Sequence, residues 1–188
     1  MLVAGTFCGG NKAPKADAKV ATIELPAEAI APLTADEIAV CVKALPDVGA
    51  ALKAANFTPP QPKEDDQIAT VIVGFVDAMK PVAGVDAALT KAGTNWDAFR
   101  ATMLKVAAAQ AAMSADMVAG MLEEMKKDTT EQARKGVAQI EALKAACAKV
   151  PQANKDMITQ HSKELEALRE LAREPEPTPP PAQKPTGK

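Results

Sequence analysis

The side chains in this 188-residue chain that are best suited to chemistry are the sulfur atoms and a single imidazole. Methionines recur in steps of four residues between positions 113 and 125, and another methionine stands four residues before the histidine. Residues four apart lie on one face of a helix. Thioether sulfur together with imidazole forms a soft ligand set that suits Cu(I). One hypothesis is therefore a soft-metal site with these candidate ligands: Met113, Met117, Met121, Met125, Met157 and His161.

The favoured interpretation of the same pattern is a buried core stripe, because methionine is a flexible residue that fills gaps in alanine-rich cores. His161 offers a second alternative, a non-covalent haem site inside a helical bundle with a methionine opposite. A Cys-x-x-Cys-His motif is absent from the sequence, which excludes covalent haem attachment. We expect no cofactor, with copper or haem as the alternative.

The sequence has few residues that could support catalysis. It contains one histidine, no tyrosine and only two serines, Ser114 and Ser162. Ser162 follows His161 directly, and neighbours on a helix point about 100° apart, so these two side chains do not form a catalytic pair. Catalysis needs an activated nucleophile, paired carboxylates or an open metal position. The sequence therefore predicts a non-enzymatic protein.

Composition predicts an all-α fold. Hydrophobic residues make up 47% of the chain and aromatic residues only 3%, so the core is expected to consist of Ala, Leu, Val and Met. Alanine is the best helix former, and runs of β-branched residues are scarce. A net charge of -2 without a basic stripe disfavours nucleic-acid binding. The longest apolar run, 68–79, is too short to cross a bilayer core of about 30 Å.

A long amphipathic stretch from Asn95 to Lys127 predicts one helix of roughly 45 Å, around which the other elements pack. Capping signals and prolines divide the remainder, and they predict an antiparallel bundle of about four main helices over residues 34–173. Residues 1–33 are interpreted as an apolar leader and a tether or strap, and 174–188 as a disordered proline-rich tail. The specific signals are a capping box at Thr34–Glu37, kinks at Pro46 and Pro81, a stop at Gly93, a cap at Asn95 and a turn at Pro151.

The first eight residues, MLVAGTFC, are apolar and uncharged, and the residues that follow are small, polar and basic. This change resembles the end of a bacterial lipoprotein signal peptide, in which an apolar segment closes at the cysteine that is lipidated. The segment Leu89–Met113 resembles small uncharacterised helical proteins of the bacterial envelope. Together these resemblances imply a lipidated Cys8, a membrane anchor and a periplasm-facing location, with any protein partner unknown. The alternative is an unprocessed, disordered N-terminus.

Three cysteines is an odd number, and lipidation of Cys8 would account for one of them. Cys41 lies on the predicted inward stripe of the first helix, and Cys147 lies on that of a later helix. A disulfide between them is possible if their helices are neighbours and the Cα atoms come within roughly 7 Å. The alternative is that both are buried free thiols that act as small hydrophobic residues.

Overall fold

A computed structural model describes residues 24–61, 68–120, 122–128 and 130–166 of the chain. Within these residues the structure is helical and contains no strand, which confirms the predicted all-α class. A 3-10 turn, Ala27–Ile30, precedes seven α-helices. They are α1 (Ala35–Ala54), α2 (Ile68–Asp77), α3 (Val85–Ala92), α4 (Trp96–Ala119), α5 (Leu122–Met125), α6 (Glu131–Cys147) and α7 (Gln152–Gln160).

Helix α4 is the centre of the molecule, because the 3-10 turn and all six other helices named above pack against it. The predicted cap is confirmed, since the Asn95 side chain accepts a hydrogen bond of 3.0 Å from the Ala98 amide. The predicted length is wrong. The helix ends at Ala119 and is capped by Gly120, and a separate short helix follows. Glycine is the weakest helix former after proline, which makes residue 120 a natural end point.

Helix α1 begins with the predicted capping box. The Thr34 hydroxyl accepts a hydrogen bond from the Glu37 amide, and the Glu37 carboxylate accepts one from the Thr34 amide. The sequence predicts an interruption at Pro46, whereas the structure has one helix through this residue. Pro46 is exposed, so the carbonyl that it leaves without a donor lies near water. The predicted kink at Pro46 is not confirmed.

The region around Pro81 also differs from the prediction of a single kinked helix. Helix α2 ends at Asp77, and the chain passes through a series of tight turns before α3 begins. These turns are closed by bonds such as Met79 N–H to the Val76 carbonyl and Val82 N–H to the Met79 carbonyl. Proline disfavours helical geometry in the residue before it, so the helix ends ahead of Pro81 instead of bending at it.

The buried core supports the predicted inward faces. On α1 the buried apolar residues are Ile38, Cys41, Ala44, Leu45, Val48 and Leu52. Helix α3 ends with Gly93 in the left-handed conformation at φ 87°, which confirms the predicted stop. Helix α7 begins directly after Pro151, as expected. Within the described residues, no helix combines the length and the apolar character needed to cross a membrane.

Candidate functional site

Residues 24–33, which we call the strap, form the last part of the predicted leader and tether, and they lie against the central helix. Their 3-10 turn packs against α4, and Ala29 is completely buried. Leu33 is also buried, and Leu25 and Ile30 pack against the core. The strap is therefore an integral part of the folded domain. The remainder of the predicted leader, including Cys8, lies outside the described residues.

A single buried amide clamps the end of the strap. Asn154, in the first turn of α7, has 0% exposure. Its Oδ1 accepts a hydrogen bond of 2.8 Å from the Leu33 amide, and its Nδ2 donates one of 2.9 Å to the Ala31 carbonyl. These two bonds satisfy backbone groups that no helix satisfies, and a buried polar group without a partner is costly. The Asn154 clamp thus joins the strap to the last described helix.

Arg100 on α4 holds the other end of the strap. Its Nη1 forms an ion pair of 2.5 Å with Glu28 Oε1 in the strap. Its Nε and Nη2 donate to the two carboxylate oxygens of Asp77, at 2.6 and 3.3 Å. Such two-point pairing of guanidinium with carboxylate fixes geometry as well as charge. Arg100 therefore connects the strap, the end of α2 and the central helix.

A second cation on α4 is almost buried among apolar neighbours. The Lys105 side chain is 10% exposed, and its Nζ lies 2.6 Å from Glu37 Oε1. Burial raises the pKa of Glu37, but hydrogen bonds from Lys105 and from the Thr34 amide outweigh it, and the net pKa lies below its ordinary value of 4.5. Glu37 is thus held as a carboxylate that joins the first turn of α1 to α4.

A cavity of about 240 Å³ lies beside this ion pair, between the start of α1, the α3–α4 connection and the first half of α4. It is smaller than most pockets for drug-sized ligands, which begin at about 300 Å³. Its wall combines carboxylates and a thiol with apolar groups. The lining residues are Asp36, Glu37, Val40 and Cys41 from α1, Gly93 and Thr94 from the connection, and Ala98, Phe99 and Thr102 from α4.

Cys41, which lines this cavity, also contacts the sulfur atom of a methionine that does not line it. Cys41 Sγ lies 3.8 Å from Met103 Sδ, and both residues are 2% exposed. Burial raises the pKa of the Cys41 thiol to about 12, so the group is protonated at neutral pH. A protonated buried thiol is a poor nucleophile. The arrangement offers soft donor atoms, and it does not offer an activated nucleophile.

Cys41 and Cys147, the two candidates for a disulfide, are both buried free thiols in the structure. Cys41 contacts Met103 on α4. Cys147 lies near the ion pair between Asp116 and Lys155, whose Oδ2 and Nζ are 3.0 Å apart. Burial, and then the charge of Asp116, raise the pKa of Cys147, while Lys155 lowers it by less. The two thiols therefore have different neighbours.

The methionine ladder does not form one continuous stripe. Met113 packs against the core, whereas Met117 is 79% exposed. Met125 belongs to α5, beyond the end of α4, and its Cε lies close to Gly136 of α6. Met121 lies outside the described residues. The end of α4 at Ala119 thus separates sulfur atoms that the sequence places on one helix face.

Met157 and His161 lie at the end of α7. Met157 packs against the core, and His161 caps the helix with its Nδ1 buried and without a hydrogen-bond partner. Gln110 Nε2 on α4 is likewise buried without a partner. In the part of the chain that the structure describes, no three His, Cys, Asp or Glu residues are grouped closely enough to hold a metal ion.

Sequence reasoning missed the residues that organise this site. Lys105 had a visible signal, because it is a charge within the apolar run MLKVAAA of the central helix. Asn154 had none, since an amide shortly after Pro151 is typical of any helix start. The pairing of Cys41 with Met103 joins residues 62 positions apart. Such contacts follow from the packing of α1 on α4 and are not encoded in any local spacing.

No protein-family model, curated protein or solved structure matches this chain.

Proposed function

We propose that this chain is a non-enzymatic, lipid-anchored helical protein that faces the periplasm of the bacterial cell envelope. The observation that supports the proposal best is the strap. In an anchored domain, the end of the tether must be held in a fixed position against the folded domain. Here the strap, the last part of the predicted leader and tether, is fastened at one end by Arg100 and at the other by the Asn154 clamp.

The sequence and the anchor chemistry support the same proposal. The apolar run that closes at Cys8 resembles a lipoprotein signal, and the residues after it separate Cys8 from the strap by about fifteen positions. Two or three acyl chains hold a protein stably at a membrane, whereas a single myristoyl chain gives marginal binding. A lipidated Cys8 would therefore anchor the domain, and the strap would transmit that attachment to the helical core.

The finer architecture, an antiparallel bundle of four main helices, belongs to this proposal. Packing of the α5 region against α6 is supported by two contacts across the connection between them. Lys126 Nζ lies 3.2 Å from Glu141 Oε1, and Met125 Cε approaches Gly136. The alternative function, a copper or haem site at the methionine ladder and His161, ranks second. The exposure of Met117 and the position of Met125 on another helix weigh against a single ligand cluster.

The test is expression of the gene with its native upstream region in a bacterial host, followed by membrane fractionation and mass spectrometry of the N-terminal peptide. We expect the wild-type protein in the membrane fraction with acyl mass on Cys8. The matched variant Cys8→Ser should be found in the soluble fraction with an unchanged helical circular dichroism spectrum. A soluble wild-type protein without acyl mass on Cys8 would refute the proposal.

A further inference from the structure

We propose that the cavity between α1 and α4 binds a small primary amine, with the ammonium group at Asp36 and the apolar body of the amine inside the cavity. This inference goes beyond the proposed anchoring function and does not depend on it. Three properties of the cavity define the ligand class. They are its size with its apolar wall, the negative charge of its lining, and the hydrogen-bond acceptors that the lining leaves without donors.

The size and the wall of the cavity suit a compact apolar group. Its volume is about 240 Å³, and a cavity of about 150 Å³ with apolar walls is large enough to bind benzene. Val40, Ala98 and Phe99 contribute apolar groups to the wall, and Phe99 is only 2% exposed. A ring or a short hydrocarbon chain of about six to eight heavy atoms therefore fits this space.

One carboxylate of the lining has no counter-charge. Glu37 is paired with Lys105 and also accepts hydrogen bonds from the amide and the hydroxyl of Thr34. The Asp36 carboxylate, by contrast, makes no ion pair or hydrogen bond with any residue that the structure describes. Lysine and arginine are absent from the described residues that line the cavity. The lining is therefore negative beside an apolar wall, which favours a cation and disfavours an anion.

Two hydroxyl groups of the same cavity add further acceptors. The Thr94 hydroxyl has no hydrogen-bond partner in the described ranges of the chain. The Thr102 hydroxyl donates to the Ala98 carbonyl at 2.9 Å, so its oxygen keeps lone pairs that can accept. A primary ammonium group carries three N–H donors. Asp36 and the two hydroxyls offer a matching number of acceptors, whereas a quaternary ammonium ion has no N–H to donate.

The test is protein-observed NMR of the full chain with Cys8→Ser, titrated with benzylamine and, separately, with benzyl alcohol, a neutral probe of similar size. We expect benzylamine to shift amide signals in residues 36–41 and 93–102 and to saturate them with a Kd of about 5 mM or lower. It should bind about 5-fold or more tightly than benzyl alcohol, because charged donors form the stronger hydrogen bonds. Equal affinities for the two probes, or shifts confined to other residues, would overturn the proposal.

A third probe, Nα-acetyl-lysine amide, distinguishes the two sources of a primary ammonium group. We expect it to bind no more tightly than benzylamine, because its flexible chain must be ordered in the cavity. Tighter binding of the lysine derivative would overturn the assignment to a free amine and would assign the cavity to a lysine side chain of a partner protein.

Variants separate the charge of the site from its space. Asp36→Asn keeps the side-chain size and should weaken benzylamine by about 5-fold or more, while benzyl alcohol binds as before within about twofold. The matched control is Asp47→Asn on the same helix, because Asp47 pairs with Lys91 and is not among the lining residues. It should leave both affinities unchanged. Ala98→Leu should fill the cavity and weaken both probes by about 10-fold or more.

Retained binding of benzyl alcohol by Asp36→Asn shows that this variant is folded and that only the charge has been lost. Unchanged affinity for benzylamine in Asp36→Asn, or for both probes in Ala98→Leu, would overturn the proposal. The map of shifted amides in the parent needs no variant and locates the bound amine independently.

Discussion

The described chain contains two regions that are built differently, which we call the clamped half and the arm. The clamped half comprises the strap, α1 and the first half of α4, and it contains the shielded ion pair of Glu37 with Lys105, whose side chain is only 10% exposed. The arm comprises α5 and α6. Its described buried residues are Leu122, Ala146 and Cys147, at its two ends. The apolar residues between them, including Val137 and Ile140, are half-buried.

The ion pairs show the same contrast. Those of the arm, such as Lys127 with Glu124 and Lys135 with Glu131, join side chains that are 67% to 83% exposed. Exposed pairs contribute little to stability, with a typical value of about 0 to 1 kcal/mol. In the clamped half, the pair of Lys105 with Glu37 is more shielded, with side chains 10% and 34% exposed, and Glu37 also accepts a hydrogen bond from the Thr34 amide. Polar interactions therefore contribute to holding the strap and the site region, while the arm packs on α4 mainly through half-buried apolar residues.

The largest expected difference between the regions is in local opening. Regions with few buried apolar contacts open at lower free energy than the core. We expect backbone amides of residues 133–140 in α6 to exchange with deuterium at an opening free energy about 3 kcal/mol or more below that of residues 99–109 in α4. Native-state hydrogen exchange with peptide mass analysis measures both ranges in one sample. Equal protection would show that the arm is as cooperative as the core.

Asn154→Ala tests the clamp. It leaves the buried Leu33 amide and the partly buried Ala31 carbonyl without these partners, and a buried group without a partner costs about 1 to 3 kcal/mol. We expect a loss of about 3 kcal/mol in the free energy of unfolding by urea, with proteolysis appearing first in the strap. Gln152→Ala on the same helix is the control, since Gln152 is exposed, and it should change stability by less than about 0.5 kcal/mol. A small effect of Asn154→Ala would mean that water replaces the clamp.

Lys105→Met compared with Lys127→Met makes the same substitution in each region. Loss of Lys105 leaves Glu37 without its shielded partner, and we expect a cost of about 2 kcal/mol. Loss of Lys127 removes an exposed pair and should cost less than about 0.5 kcal/mol. Urea denaturation measures the free energy of unfolding of both variants relative to the parent. If the order of the two effects were reversed, the distinction between clamped half and arm would not hold for charges.

The smallest expected effect is a pH dependence at Glu37. Its pKa is lowered in the folded state, so its stabilising contribution is complete above its ordinary value of 4.5 and is lost as pH falls through the lower folded value. We expect the stability difference between the parent and Glu37→Gln to be constant from pH 6 to 7 and to shrink, by less than about 1 kcal/mol, as pH falls below 4.5. If the stability difference between the parent and Glu37→Gln grew as the pH fell, the ion pair of Glu37 with Lys105 would be contradicted.

Features that depend on a few neighbouring residues could be predicted from the sequence. The capping box at Thr34 and Glu37, the Asn95 cap and the Gly93 stop each need only local hydrogen bonds or one backbone angle. The kink at Pro81 and the helix to Lys127 are not what the structure has, because the apolar pattern continues past Asp77 and Ala119, whereas the helices end at these residues. The candidate site itself could not be predicted, because Cys41 meets Met103, and Glu37 meets Lys105, only after α1 packs on α4.

The Asn154 clamp has a consequence for the order of events during synthesis. Its two hydrogen bonds span 121 and 123 positions of the chain. A ribosome delivers the strap early and α7 almost last, at about 5 to 20 residues per second. For several seconds, therefore, Asn154 has not yet been synthesised, and the Leu33 amide and the Ala31 carbonyl of the strap must remain hydrated. The segment that leads to the tether is thus secured at the end of folding, when the other helices have already had time to assemble.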